Sequence, residues 1–417
     1  LPHIERTAAR AAAVVGNDFQ VPELVALLQE TLPIHLTPAL EGLQNARFTF
    51  AVPYAHAAHS FCQTLVRELL YDSQPLARRQ QLHTRLAEYL RAGHTADLGA
   101  VAEMLAYHYL QAGAWLEASR FALLAGNKAQ SRTAYEAASG YYTAAEEALA
   151  HLSGERVATP EVRDLWGHVR VGHGDVAFLQ GHFEAAGRAY TEARPDLADP
   201  SQLLVRIALV QSLSNQDVSA LGLVEHAWTA LESIGATSIS VAAVLAWLRW
   251  REGDLQAARM WAKRSGQHAL AIAIGGDLLK AWDGYQAEQE PSGAALVALH
   301  LAESLSVQGA FAEAQLWLAR AAEDWTREND TWGSALVRCG QVQLCQLQGD
   351  TLAASRITEE AHSLLKSVMA SEWETRPVAL NAGDVDACIL GRRRYEDIFH
   401  ALYLFNLLTP FSPEVQW

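Results

Sequence analysis

Sixteen histidines make metal binding the first chemistry to consider, and His56 and His59, at i and i+3, can share one helix face. Zinc takes three or four donors, and no cysteine or carboxylate stands at ligand spacing beside them. No metal or cofactor is expected. Cys62, Cys339, Cys345 and Cys388 are too scattered for a zinc cage or a disulfide framework. Phosphate chemistry fares no better. No G-x-x-x-x-G-K-[ST] occurs, and the nearest phrase, AGNKAQS at 125–131, lacks the backbone cradle that holds phosphates. VGHGDV at 171–176 is glycine-rich but follows no strand. Nucleophile and zincin motifs are missing, and the carboxylate pairs Glu146-Glu147 and Glu359-Glu360 point apart on their helices. The chain is read as non-catalytic.

The single basic run, Arg392-Arg393-Arg394, spreads over about 200° of helix and makes no stripe. With 47 acidic against 32 basic residues the formal charge is −15, which repels phosphate backbones. Direct nucleic-acid binding is therefore not expected. No apolar run is long enough to cross a bilayer, and the chain reads as cytoplasmic, with no membrane contact.

The elements behind these residues are helical. Apolar side chains recur at three- and four-residue spacing, as in Leu82-Leu86-Leu90. Pro22, Pro75, Pro160 and Pro291 mark helix starts. One strand is expected, over Arg47–Val52. Everything after residue 75 reads as helix and short turn.

Six places share a pattern: a small residue, a turn residue seven positions later, and an alanine five beyond that. They are Ala106/Gly113/Ala118, Gly174/Gly181/Ala186, Ala208/Asn215/Ala220, Ala246/Gly253/Ala258, Ala302/Gly309/Ala314 and Val342/Gly349/Ala354, the last with a larger first residue. Another small residue follows twelve after each turn: Ala125, Ala193, Ala227, Ser265, Ala321 and Ala361. Antiparallel helices approach to about 8 Å only where such side chains meet. A glycine between them ends the first helix in a left-handed conformation.

This pattern resembles the tetratricopeptide repeat, a helix–turn–helix of about 34 residues. Its core reappears in GHFEAA (181–186), GDLQAA (253–258), GAFAEA (309–314) and GAWLEA (113–118). Gly181 and Asn215 stand one repeat length apart. Gly253 and Gly309 stand much further apart, which leaves room for an extra helix around Asp277–Gln289. Another helix fits 134–149, in the interval from Gly113 to Gly181. The resemblance implies an all-α, tetratricopeptide-like helical-hairpin solenoid, a right-handed superhelix, over 76–417, with a strongly apolar last helix at 395–408.

In that family the first helix of each pair lines a groove. Counting back from Gly253 by its spacing places Trp247, Trp250 and Arg251 on the groove, with Trp282 and Tyr285 close by. Large aromatics beside an arginine suit a peptide, or an apolar ligand with an anionic end. In the competing reading these tryptophans are core, and Trp250 fills the gap left by the irregular 253–309 segment.

Residues 1–75 are expected to form a short helical segment, winged-helix-like if the following resemblance holds. Within residues 1–150 the phrases AAVVGNDF (12–19), R-R-x-x-L-H-x-R-x-A-x-x-L (Arg78–Leu90) and L-A-x-H-Y-x-x-A-G (Leu105–Gly113) resemble signal-transduction ATPases of the maltose-regulon-activator type. There a winged helix leads into a tetratricopeptide superhelix. Family members carry a histidine soon after the Phe-x-Phe strand; His56 and His59 both compete for that place. The resemblance implies a sensor and interaction module of a signal-transducing, transcriptional regulator, without the P-loop module. Its groove would take a protein or peptide partner or a small-molecule inducer, and a homo-oligomer is compatible with it. The alternative is a free-standing scaffold with no regulatory ATPase in its ancestry.

Overall fold

A computed structural model describes residues 1–28, 33–52, 58–132, 134–153, 159–197, 201–213, 217–233, 238–266, 276–327 and 330–368. His56, Asn215, Cys388, Arg392–Arg394 and the expected helix at 395–408 lie outside the described residues. The chain divides into two compact units, one over Leu1–Gly172 and one beginning at His173.

The first unit opens with α1 (His3–Val15), β1 (Asp18–Gln20), α2 (Val21–Leu27), α3 (Pro33–Asn45), β2 (Thr49–Ala51), β3 (Ala58–Phe61) and α4 (Thr64–Asp72). The strands form an antiparallel sheet in the order β1-β3-β2, with Phe19 opposite His59 and Phe50 opposite Ser60. The order of elements in this segment is helix–strand–helix–helix–strand–strand. The one expected strand is β2; β1 and β3 are too short to show an alternation. Five buried alanines on α1 let neighbouring helices pack closely against it.

After Pro75 come α5 (Leu76–Gly93), a 3-10 turn, and then α6 (Ala102–Ala112) and α7 (Trp115–Ser131), which flank Gly113. α8 (Tyr135–Ser153) is the additional helix expected in this interval. The division between the units falls inside α9 (Pro160–Leu179).

The second unit continues with α10 (Phe183–Ala193), α11 (Ser201–Leu213), α12 (Asp217–Ser233), α13 (Ile239–Arg251), α14 (Leu255–Arg264), α15 (Leu278–Glu288), α16 (Pro291–Val307), α17 (Phe311–Arg327), α18 (Thr331–Leu347) and α19 (Thr351–Val368). Consecutive helices pack as hairpins. Gly113, Gly181, Gly253, Gly309 and Gly349 all take φ between 73° and 85°, the region where a Cβ would clash. The small positions are buried: Ala106, Ala118, Ala186, Ala208, Ala220, Ala246, Ala258, Ala302, Ala314 and Ala354 are at most 2% exposed. At Gly174 a Cβ would lie 2.5 Å from the Tyr190 ring.

A further turn of the same kind appears at Gly276, with φ 85°, followed five residues later by the fully buried Ala281. The Asp277 side chain accepts from the Lys280 amide, as Asp254 does from Ala257 and Asp350 from Ala353. Helix α15 thus begins with the same turn and cap as the second helices of the hairpins, at a place the six-fold pattern misses.

Candidate functional site

Helix α13 begins at Ser238, whose hydroxyl accepts from the Val241 amide. Every residue from Val241 to Leu248 is buried. A helix apolar on all faces is enclosed by its neighbours, and this changes what its aromatics can do. Trp247 is only 4% exposed, whereas Trp250 is 39% exposed. The Trp247 indole Nε1 is enclosed and has no acceptor among the described residues. One turn on, the Arg251 guanidinium lies over the Trp247 ring, 5.2 Å from its centroid. It also donates to the Ser212 carbonyl at the end of α11, at 3.5 Å. Arg249 is committed elsewhere, to Glu225 on α12 and to Glu252.

The expectation of open aromatics therefore needs correction at two positions. Trp247 is enclosed because α13 has no polar face. Tyr285, 8% exposed, is a core residue of α15 that packs on Gly293, where a Cβ would lie 2.5 Å from its ring. Trp282 joins a different group. It meets Trp317 of α17 edge to face, with centroids 5.4 Å apart, beneath the Arg320 guanidinium. The structure brings together Trp247 and Arg251, with Trp250 on the same helix, and sets Trp282 and Tyr285 in other contacts.

Sequence reasoning passes over three other groups. Asp175 of α9 and Arg206 of α11 form a buried bidentate ion pair, with Nε–Oδ1 at 2.8 Å and Nη2–Oδ2 at 3.1 Å. The Tyr190 hydroxyl donates to Asp175 Oδ1 at 2.9 Å; burial raises its pKa well above that of an ordinary phenol. In the first unit, His83 Nδ1 and His108 Nδ1 share a hydrogen bond of 2.9 Å, and the Tyr71 hydroxyl bonds His83 Nε2. Burial pushes these imidazoles down to about 3 and about 4. Both histidines stand in the phrases that carry the regulator resemblance, yet nothing in those phrases says that they touch. Third, a groove of about 420 Å³ between α10 and α11 is lined by Glu184, Arg188, Glu192, Ile207 and Gln211 among others.

The remaining candidates are structural. His59 stacks on Phe19 and bonds Gln44, and burial lowers its pKa. Lys128 of AGNKAQS lies within α7 and pairs with Glu103. Among the described residues no three His, Cys, Asp or Glu side chains cluster as metal ligands, and no helix is long and apolar enough to cross a membrane.

No protein-family model matches the chain. Over 135 residues it is 36% identical to an uncharacterized protein of Rhizobium meliloti (strain 1021), a segment that is 31% of this chain and 13% of that one. The chain thus spans a small part of the curated relative it matches. Among solved structures it is similar to a signal-transduction ATPase with numerous domains and a tetratricopeptide-repeat sensor from Pyrococcus horikoshii (11% identity, 92% of this chain, 53% of that chain, TM-score 0.36). It is also similar to a Rap protein complexed with competence and sporulation factor (13%, 79% of this chain, 92% of that chain, 0.39). A Rap conjugation gene regulator of a plasmid, in complex with a Phr peptide, is a third (15%, 84% of this chain, 92% of that chain, 0.40). Likeness at this level carries no function. The coordinates themselves establish the architecture: an all-α, tetratricopeptide-like array of helical hairpins with a small three-stranded sheet near its amino end.

Proposed function

We propose that this chain is a non-catalytic recognition module of a signal-transducing regulator and that α13 is its contact helix. One observation carries the reading. Trp250 is 39% exposed on the same helix as Arg251, whose guanidinium lies over the Trp247 ring. The half-open Trp250 supplies an aromatic anchor next to it. The ligand class is a peptide, or a small molecule with an apolar body, that carries an anionic acceptor. The same reading divides the chain into a winged-helix-like segment over 1–75 and a helical repeat over 76–417. A relative several times longer than the matched segment supports a module working within a larger protein.

The test is a thermal-shift screen of peptides and metabolites against the full chain, repeated with Trp250→Ala and Arg251→Gln. A ligand at a hundredfold excess over its Kd stabilises by about 2.7 kcal/mol. That shift should shrink in both variants. A hit whose stabilisation survives both removes α13 as the site.

A further inference from the structure

Two tryptophan–arginine groups in the second unit are built alike. On α14, Arg264 lies over Trp261 at 4.8 Å and over Trp228 of α12 at 5.9 Å; the two indoles meet edge to face at 77°, with centroids 4.8 Å apart. On α17, Arg320 lies over Trp317 at 4.3 Å and over Trp282 of α15 at 5.5 Å; these indoles meet at 83°. Both arise from one sequence device. Met260-Trp261-Ala-Lys-Arg264 and Leu316-Trp317-Leu-Ala-Arg320 stand at the same offsets from the turn glycines Gly253 and Gly309. Each group joins the second helix of one hairpin to a helix earlier in the chain, α12 for the first group and α15 for the second.

Packing accounts for the tryptophans and leaves the arginines unexplained. Both guanidinium groups are exposed. Among the described residues neither has an ion-pair partner, in a chain with fifteen more acids than bases. Arg206, Arg249, Arg327 and Arg338 of the same unit all find carboxylates. An arginine held flat against indole keeps its in-plane N–H fork free, the geometry that grips a carboxylate bidentately. Stacking also fixes the side chain beforehand, so less rotamer freedom is lost when an anion binds. One turn earlier on the same helix face stands an exposed apolar residue, Met260 at 43% and Leu316 at 64%.

We infer that α14 and α17 form a second recognition surface, for an acidic segment of a protein partner in which carboxylates alternate with apolar residues. Each group takes one carboxylate on its arginine and one apolar side chain against Met260 or Leu316. The surface makes no use of Arg251 on α13.

The experiment is selection of a random dodecapeptide phage library on the immobilised full chain, followed by titration of the synthesised winner. Expected winners carry Asp or Glu next to apolar residues. Affinity should fall about tenfold for Arg264→Gln or Arg320→Gln, the size of one charge-assisted hydrogen bond, and further for the double variant. It should survive Arg251→Gln. Arg→Lys, which keeps the charge but not the stacked fork, should recover only part. Thermal melts of each variant establish that it folds. Winners without acidic residues, or affinity indifferent to the double substitution, overturn the inference. So does self-association of the wild type that the double variant abolishes, because a second copy would then be the occupant.

Discussion

Acidification tests whether the His83–His108 contact is what it looks like. The two imidazoles bond through their Nδ1 atoms at 2.9 Å, and one proton fits between them. Charging both would set N–H against N–H in a site where His83 is 0% and His108 5% exposed. Their folded pKa values lie at about 3 and about 4, against an ordinary 6.5, with burial the first cause and the neighbouring imidazole and Arg79 adding to it at His83. Depressed values mean that the folded state stays neutral while the unfolded chain takes up protons below pH 6.5. The stability this contributes is complete above pH 6.5 and is lost as pH falls toward 4. At pH 5 the loss is about 2 kcal/mol for each imidazole, roughly 4 for the pair. Urea unfolding at pH 7.5 and pH 5 should show that loss in the wild type. It should be nearly absent from His83→Leu/His108→Leu, which replaces both partners together and leaves Tyr71 its bond to Gln111. Other buried histidines, such as His168, titrate equally in both proteins and cancel in the comparison. If both proteins lose the same stability between the two pH values, the pair is not neutral in the fold and the reasoning fails.

Asp175→Asn leaves Arg206 buried against a neutral amide, and urea midpoints should report a loss of about 3–5 kcal/mol. Asp175→Asn/Arg206→Met should recover much of it. Gly126→Ala would place a Cβ 2.4 Å from the Tyr142 ring, against which a Cβ at Gly172 would also lie, at 2.6 Å. Its cost of about 1–3 kcal/mol should largely disappear in a Tyr142→Leu background, a double-mutant cycle read by chemical denaturation. Gly276→Ala forces a Cβ into a left-handed turn and should cost about 1 kcal/mol. No loss there would show that the left-handed turn does not restrict the residue at 276.

The sequence displays hairpins well because a hairpin narrows its own residue choices. A left-handed turn admits glycine almost alone, and helices that touch at alanine admit little else, so Gly253/Ala258 and Gly309/Ala314 keep their spacing. Gly276 escapes notice because it follows Gly253 too soon, a shorter step than the repeat, although Asp277 carries the same cap and Ala281 is likewise buried. The aromatic residues are harder to read for a different reason. Spacing from a turn says which face of a helix a residue occupies, but not what packs on that face. Trp247 and Trp250 come from one count, yet only Trp250 stays open, because exposure is settled by helices distant in the chain. Partners such as His83 and His108, or Asp175 and Arg206, come from separate helices and leave no periodic trace. Each is an ordinary residue on an ordinary helix until packing brings the two together. What a helical repeat does is therefore written less in its repeating positions than in the side chains that depart from them. The arginines above the tryptophan pairs on α14 and α17 are the departures for which the core has no use.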